Sequence, residues 1–399
     1  MHSRLKFDIG WASLLWAAAG LPVSRARVAR ARRFVESGWG GRRGVIGLSA
    51  RTLFDALLAE LALPAGAKII MSGVNIQNMF DLARLYGLEI IPVDINPATL
   101  APMPGALLDA QAKSGARICV EAQLYGSVSP LHDASALRER GVFVLEDAAQ
   151  AFADRSYTGD ANADATLFSF GPIKRRTALG GGVGVFRDRV LAARVEARLA
   201  SHEMRSESWL RRRAFKYLLL KALTLPPIYG ALLQLVRISG NDPEKVIGEA
   251  ARGFSGPSLA VSIRAQPPGR LVVLMAHQIN TAEDASSRQS ACLGFLSQLP
   301  PEFMKVGEHA ERHAYWLLAI CCRKPEEALD FLRSHGFDAT RGTTSLRAET
   351  PGRTPVAARM LESVVYLPHP AGLSAGARRR LISALCDYAG RSELAGIQL

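Results

Sequence analysis

The 399-residue chain lacks several features that mark metal-binding or disulfide-bonded proteins. Its five cysteines have no metal-ligand spacing, and the adjacent pair Cys321-Cys322 lies in an apolar run. This usage predicts a reduced, intracellular protein. His309 and His313 are four apart in a predicted helix, but no third ligand lies nearby in the sequence. We therefore expect them on a solvated helix face and predict no catalytic metal.

Acidic residues are few relative to basic ones. With 49 Lys and Arg against 36 Asp and Glu, the formal net charge is +13. Basic residues cluster at residues 25–33, 42–43, 211–213 and 378–380. Because these clusters have neither a nucleic-acid-binding motif nor interleaved aromatic residues, the sequence predicts no nucleic-acid partner.

A long uninterrupted apolar run is also missing. The most apolar stretch, residues 214–238, contains two lysines and the double proline Pro226-Pro227, which argues against a membrane-spanning helix. Its arginine flanks and tyrosines fit a helical hairpin on an anionic membrane surface, and an insertion in a dimer interface or in the core fits equally well. We predict that residues 9–22 form a helix that packs on the rest of the protein or contacts the same membrane surface. The arginines after this run are not typical of a signal peptide.

The apolar content is nevertheless high, at 48% hydrophobic residues, which is enough to bury a large core. Apolar strands alternate with helical stretches between residues 45 and 190, and this alternation predicts an α/β fold with a mostly parallel central sheet flanked by helices. A smaller α+β domain follows, with a strand over 316–321 and helices over 325–335 and 375–388. The predicted parts are a helical segment (1–44), a large domain (45–297) with a basic apolar insertion at about 203–260, and a small C-terminal domain (298–399).

Residues that carry chemistry follow two of the predicted strands. The strand at 142–147 ends in Asp147, and a buried strand over 165–170 contains Ser169 and leads to Lys174 and then to the glycines at 180–182. Ligands of α/β proteins bind at the carboxyl ends of the strands. Pyridoxal phosphate needs an amine for its Schiff base and an anion that keeps its pyridine nitrogen protonated. The sequence therefore predicts this cofactor, with Lys174 and Asp147 meeting those two needs.

These motifs, in this order, resemble those of the DegT/DnrJ/EryC1/StrS sugar aminotransferases, which have the pyridoxal-phosphate-dependent fold type I. The matching segments are Glu146-Asp147-Ala148-Ala149-Gln150-Ala151, Gly159-Asp160, Phe168-Ser169-Phe170, Lys174 and Gly180 to Gly182. The resemblance implies that Lys174 forms the Schiff base and that Asp147 pairs with the pyridine nitrogen. It also implies that Gln150 lies near the phenolic oxygen and that Ser169 binds the phosphate. A lysine, where the family's dehydratase branch has a histidine, implies transamination.

Further matches extend the resemblance from about residue 45 to residue 388, with a gap in the middle. They are the strand leading to Pro92-Val93-Asp94, the segment Leu124-Tyr125-Gly126, and Leu367-Pro368-His369-Pro370 near the C-terminus. The residue before the second segment is Gln123, where the family has His.

Three departures from the family pattern affect the cofactor site. The phosphate-binding turn reads Ser49-Ala50-Arg51-Thr52, so Ala50 and Arg51 are the predicted phosphate contacts and Ser49 is the predicted helix N-cap. The aromatic residue that stacks on the cofactor ring is missing, so we expect Asn75 or Ile76 to cover the ring. The N-x-R segment through which a partner subunit completes the phosphate site is represented only by the weak match Ser262-Ile263-Arg264.

By resemblance, the chain would be an aminotransferase that moves an amino group from an amino acid, commonly glutamate, to a keto-sugar, nucleotide-linked in such families. Fold type I implies a homodimer. Two alternatives stay open: an enzyme at the membrane surface that acts on a lipid-linked or amphipathic keto compound, and a non-catalytic relative that keeps the cofactor. The expected location is the cytoplasm, at the inner face of the membrane if residues 214–238 bind lipid.

Overall fold

The structure of the chain is a computed structural model that describes residues 1–4, 7–239, 259–281, 285–341 and 345–391. Residues 240–258 of the predicted insertion lie outside the described residues. The described helices are α1 (Trp11–Ala19), α2 (Arg25–Glu36), α3 (Ala50–Leu61), α4 (Gln77–Leu85), α5 (Ala106–Ser114), α6 (Ala134–Glu139), α7 (Arg189–Ala200), α8 (Glu207–Leu223), α9 (Pro226–Ile238), α10 (Leu259–Ile263), α11 (Gly269–Asn280), α12 (Ala285–Leu296), α13 (Pro325–Ser334), α14 (Pro355–Ser363) and α15 (Ala375–Arg391).

The described strands form one large sheet and three small ones. They are β1 (Arg43–Gly47), β2 (Lys68–Ser72), β3 (Val74–Ile76), β4 (Glu89–Val93), β5 (Ile118–Ala122), β6 (Ser127–Val128), β7 (Phe143–Asp147), β8 (Ala165–Ser169), β9 (Gly182–Phe186), β10 (Met304–Lys305), β11 (Arg312–His313), β12 (Leu318–Cys321), β13 (Leu346–Ala348) and β14 (Val364–Leu367).

The large sheet has seven strands in the order β1-β9-β8-β7-β5-β2-β4. Only β9 runs against the others, so the sheet is mostly parallel, as the sequence predicts. The central strands β5 and β7 are buried almost throughout because helices cover both faces, which is why they are apolar without alternation. Helices α3, α4 and α7 pack on one face, and α2, α8 and α11 contribute to the core of the other.

The smaller sheet, with the order β10-β12-β14, packs with α12, α13 and α15 around a separate core. Two short strand pairs connect this C-terminal part to the part of the chain that forms the large sheet. Strand β11 pairs with β6, and β13 pairs with β3. The second pair sets Arg347 opposite Asn75, close to the carboxyl ends of the central strands.

The apolar stretch at 214–238 forms parts of two helices that meet at a sharp bend. Helix α8 begins earlier than the apolar run, at Glu207, and α9 begins at Pro226, a position where proline is well tolerated because the first N–H of a helix has no acceptor inside it. The two helices are bent by 95°. Among the described residues, no single helix is long and apolar enough to cross a membrane, although this bent pair passes the same test when its helices are taken together.

The histidine pair is the clearest error of the sequence interpretation. His309 lies in a turn and His313 lies on the short strand β11, so the predicted helix is wrong. His313 is buried, not solvated, and its ring stacks on Tyr315 with centroids 4.0 Å apart. Burial lowers the pKa of His313 to about 3. The partner strand β6 is far away in the sequence, and this long-range pairing overrides the local pattern.

Candidate active site

A cavity of about 360 Å³ opens at the carboxyl ends of β7 and β8. Among the described residues, five charged side chains line it, namely Arg51, Asp147, Lys174, Arg213 and Arg347. The remaining lining includes the polar residues Ser49, Gln77, Asn78, Ser169 and Ser345 and the glycines Gly171, Gly180 and Gly181. Its volume lies in the range typical of small-molecule sites, and four of these five charged side chains are cationic. The cavity therefore suits an anionic ligand.

Asp147 lines this cavity with its carboxylate and ends β7. It is buried, and its two oxygens accept hydrogen bonds of 3.2 Å each, from the side-chain amide of Asn75 and from the backbone N–H of Ala149. Burial raises the pKa of Asp147, while these two hydrogen bonds and the charge of Lys174 act in the opposite direction. The carboxylate is thus held in one orientation and has a cation nearby.

Lys174 lies on the loop that follows β8, where its backbone N–H donates to the carbonyl of Gly171 at 3.0 Å. Its Nζ lies 4.2 Å from the ring centroid of Trp316, and the indole N–H of Trp316 donates to the carbonyl of Ile173 at 2.5 Å. Burial lowers the pKa of Lys174 to about 8, with Asp147 opposing this and Arg51 adding to it. At mildly alkaline pH a large share of the amine is therefore neutral and able to act as a nucleophile.

The N-terminus of α3 forms another wall. Ser49 is its N-cap and accepts a hydrogen bond of 3.1 Å from the backbone N–H of Thr52, as the sequence predicts. Gly182 of β9 packs against this turn so closely that a Cβ there would lie 2.7 Å from the backbone nitrogen of Ala50. The first N–H groups of a helix have no acceptor inside it and attract anions. Ser169 also lines the cavity and adds a hydroxyl.

Two guanidinium groups lie beside this helix end. Arg51 donates to the side-chain oxygen of Asn78 at 2.7 Å, and burial together with the charge of Arg213 lowers the pKa of Arg51 to about 10. Arg213 comes from α8, a helix for which the sequence analysis predicts no site residue. Even with this shift, Arg51 remains protonated at neutral pH, so both side chains are cations there.

These groups fit pyridoxal phosphate. The cavity brings together an amine of lowered pKa, a buried carboxylate, and a helix N-terminus with two arginines. An aldehyde, a pyridine nitrogen and a phosphate need these three kinds of group. Ile76 also lines the cavity, and Asn75 binds the carboxylate of Asp147. That one of them covers the cofactor ring stays a prediction.

The structure brings five of the six predicted site residues to one cavity: Ala50, Arg51, Asp147, Ser169 and Lys174. Gln150 is not among the lining residues. Its side-chain oxygen accepts a hydrogen bond of 2.9 Å from the backbone N–H of Tyr125, and its contact with a phenolic oxygen stays a prediction.

Arg264, the weak candidate for a contact with a partner subunit, forms two hydrogen bonds of 2.9 Å with Asp55 of its own chain. This ion pair occupies its guanidinium group within the same chain.

The sequence interpretation missed Trp316, Arg347 and Arg213. Trp316 and Arg347 reach the site through the C-terminal part of the chain, and no local motif marks them. The helical spacing could have identified Arg213 as an inward-facing residue. It lies three residues after Leu210 and four before Tyr217, both of which are fully buried on α8. The same periodicity leaves Arg211 and Arg212 exposed.

Comparison with known proteins places this arrangement in context. Residues 45–219 match the model of the DegT/DnrJ/EryC1/StrS aminotransferase family. An aminotransferase of that family from Brucella abortus has a similar structure, with 17% sequence identity, a TM-score of 0.69 and 95% of each chain covered. A sugar aminotransferase from Micromonospora echinospora has 18% identity, a TM-score of 0.67 and coverage of 97% of this chain and 100% of its own.

A third similar structure is the GDP-4-keto-6-deoxy-D-mannose-3-dehydratase of E. coli with bound hydrated pyridoxal phosphate. It has 14% identity, a TM-score of 0.68 and coverage of 96% of this chain and 99% of its own. At these identities the three structures establish a shared fold, and the chemistry of this chain must be argued from its own residues.

Proposed function

We propose that this chain is a divergent, pyridoxal-phosphate-dependent member of the DegT/DnrJ/EryC1/StrS aminotransferase family, whose model residues 45–219 match, and that it transfers an amino group from an amino acid to a keto-sugar. The observation that carries the proposal is the presence of Lys174 and Asp147 in one cavity with the N-terminus of α3. The family's dehydratase branch has a histidine at the lysine position, so the amine of Lys174 supports amino transfer.

Each charged group has a distinct task in this reaction. When bound, pyridoxal phosphate supplies the electron-accepting ring and carries the amino group between the two half-reactions. Asp147 would pair with the pyridine nitrogen and keep that nitrogen protonated. Lys174 would hold the cofactor through its amine and would take up and release a proton at its Nζ during the exchange with the amino donor. The pKa of about 8 lets Nζ both accept and release this proton near neutral pH.

The test is a pair of half-reactions followed by absorbance. We expect the purified protein to be yellow, to lose this colour when glutamate or another amino acid is added, and to recover it with a keto-sugar. Lys174→Ala should show neither the starting colour nor the bleaching. A protein that binds pyridoxal phosphate but is bleached by no amino acid in a broad panel would be the non-catalytic relative instead.

The acceptor is proposed to be linked to a nucleotide. Arg347 supports this, because it is exposed, lines the cavity and adds a cation that the cofactor contacts proposed above do not use. An exposed guanidinium group of this kind can bind a diphosphate. We expect Arg347→Met to raise the KM for a nucleotide-linked keto-sugar at least about tenfold and to leave bleaching by the amino donor unchanged. An unchanged KM would remove Arg347 from the acceptor site.

Two assembly features remain proposals. The homodimer is supported by the family resemblance. Peripheral membrane contact is supported by exposed apolar side chains on α8 and α9, among them Phe215, Leu219 and Leu235, near the exposed Arg211 and Arg212. No observation on the described residues favours a lipid-linked acceptor over a keto-sugar.

A further inference from the structure

Arg213 is a cavity residue that the proposed catalytic steps do not use. It belongs to α8, whose inward face carries the buried residues Leu210, Ala214 and Tyr217. Its neighbours Arg211 and Arg212 are exposed on the same helix. Position 213 is therefore the one in this triple-arginine cluster whose side chain lines the cavity.

Several contacts fix the guanidinium group of Arg213. Its Nε donates to the carbonyl oxygen of Leu179, and its Cζ lies 5.2 Å from the ring centroid of Trp209 and 5.6 Å from that of Tyr217. Planar guanidinium groups stack well on aromatic rings, and such stacking limits their rotation. The side chain is thus positioned before any ligand binds, which reduces the entropy lost on binding.

These contacts place Arg213 near the N-terminus of α3. Leu179 directly precedes the glycine run, in which Gly181 donates its N–H to the carbonyl of Leu48 at 2.8 Å. Gly182 then packs directly on the backbone of Ser49 and Ala50. The positive charge of Arg213 therefore acts on Arg51 and contributes to the lowering of the pKa of Arg51.

Arg51 and Arg213 both line the cavity, and two cations in one partly desolvated space favour the binding of an anion there. A phosphate dianion at the end of α3 would offset both positive charges and could bind both guanidinium groups.

We propose that Arg213 of α8 and Arg51 of α3 together bind the phosphate group of the cofactor from within one chain. This rests on the proposed function for the identity of the ligand, although the anion site itself follows from the geometry. The two arginines take the place of the N-x-R segment of the family pattern, since Arg264 is paired with Asp55. The residues between the lysine loop and the small sheet thereby gain a role in the active site.

The test compares Arg213→Met with Arg212→Met, a control that removes an exposed arginine from the same helix. The full-length protein is stripped of cofactor and titrated separately with pyridoxal phosphate, pyridoxal and inorganic phosphate in a calorimeter. We expect Arg213→Met to bind pyridoxal phosphate and inorganic phosphate about tenfold more weakly than Arg212→Met does. Pyridoxal, which has no phosphate, should bind both variants equally.

Equal binding of the two phosphate-bearing ligands by both variants would overturn the proposal. So would a loss of pyridoxal binding as large as that of pyridoxal phosphate, because Arg213 would then act on the cavity as a whole. If Arg213→Met does not fold, Arg213→Lys against Arg212→Lys gives the same test, since an ammonium group cannot bind a phosphate bidentately. A wild-type protein that binds inorganic phosphate through Arg213 but not pyridoxal phosphate would support the anion site and refute the proposed function.

Discussion

At the residue scale, the reactivity of Lys174 depends on what surrounds its amine. Burial destabilises the charged ammonium form, the carboxylate of Asp147 stabilises it, and the guanidinium of Arg51 works against it. The aromatic face of Trp316 holds the amine near the loop that carries it. A lysine in water would be almost fully protonated at pH 8, so the surroundings are what make this amine a nucleophile.

This lowered pKa predicts how the reactivity of Lys174 varies with pH. Only the neutral amine reacts with acetic anhydride, so labelling of Lys174 in the cofactor-free protein should rise with pH and reach half its maximum near pH 8. In the denatured protein the same lysine should reach half its maximum near pH 10.4. Mass spectrometry of the peptide that contains Lys174 measures both curves. Coincident curves would show that the fold does not lower the pKa.

Asp147→Asn tests the proposed pairing of Asp147 with the pyridine nitrogen of the cofactor. An amide cannot keep the pyridine nitrogen protonated, so bleaching by the amino donor should slow by about 100-fold or more. Asp81→Asn, an exposed carboxylate on α4, is the control and should behave as wild type. Stopped-flow absorbance measures the rates. A rate within a few-fold of wild type in Asp147→Asn would remove this residue from the site.

At the scale of elements, the cavity depends on how closely β9 approaches the start of α3. A Cβ on Gly182 would lie 2.7 Å from both the Ala50 nitrogen and the Ser49 carbonyl carbon, and 3.0 Å from the carbonyl oxygen of Phe168. All three atoms belong to the backbone and cannot rotate away. The helix N-terminus is therefore held in place by the absence of a side chain at residue 182.

Gly182→Ala should destabilise the protein by about 1–3 kcal/mol, because the strand and the helix start must separate. It should also weaken binding of pyridoxal phosphate more than binding of pyridoxal, since the phosphate end of the cavity moves. Gly294→Ala on α12 is the matched control, because a Cβ there meets nothing within 4 Å. Urea unfolding and calorimetry measure the two effects. Equal stability of the two variants would contradict the close approach.

At the scale of the whole molecule, α1, α8 and α9 present large apolar side chains to the surface. Trp11 and Leu15 of α1 are 42% and 55% exposed, and Phe215, Leu219 and Leu235 of α8 and α9 are 63%, 54% and 65% exposed. Exposed apolar groups next to basic residues are typical of surfaces that bind anionic membranes.

We therefore expect the protein to sediment with vesicles that contain an anionic lipid, and to do so less in high salt, which screens the attraction between its arginines and the lipid. Phe215→Ser combined with Leu219→Ser should abolish sedimentation without changing cofactor binding. Failure to sediment with anionic vesicles at low salt would contradict membrane binding and would indicate that another partner, such as a second copy of the chain, covers this apolar face.

The molecule also shows how far a sequence can predict its own site. The mostly parallel sheet and the positions of Asp147 and Lys174 were predictable, because strand ends and the residues that follow them are set by local order in the chain. Arg213 and Trp316 were not predicted, because helix α8 and the C-terminal part reach the cavity through long-range packing. The prediction of a helix around His313 was wrong for the same reason, because a strand distant in the sequence pairs with that segment.

We propose that Lys174 binds pyridoxal phosphate covalently. The most direct measurement is reduction of the cofactor-loaded protein with sodium borohydride, followed by digestion and mass spectrometry of every lysine-containing peptide. We expect the reduced cofactor to be attached to Lys174 and the attachment to be absent from Lys174→Ala. Attachment to a different lysine, or none in a protein that holds the cofactor, would contradict the account.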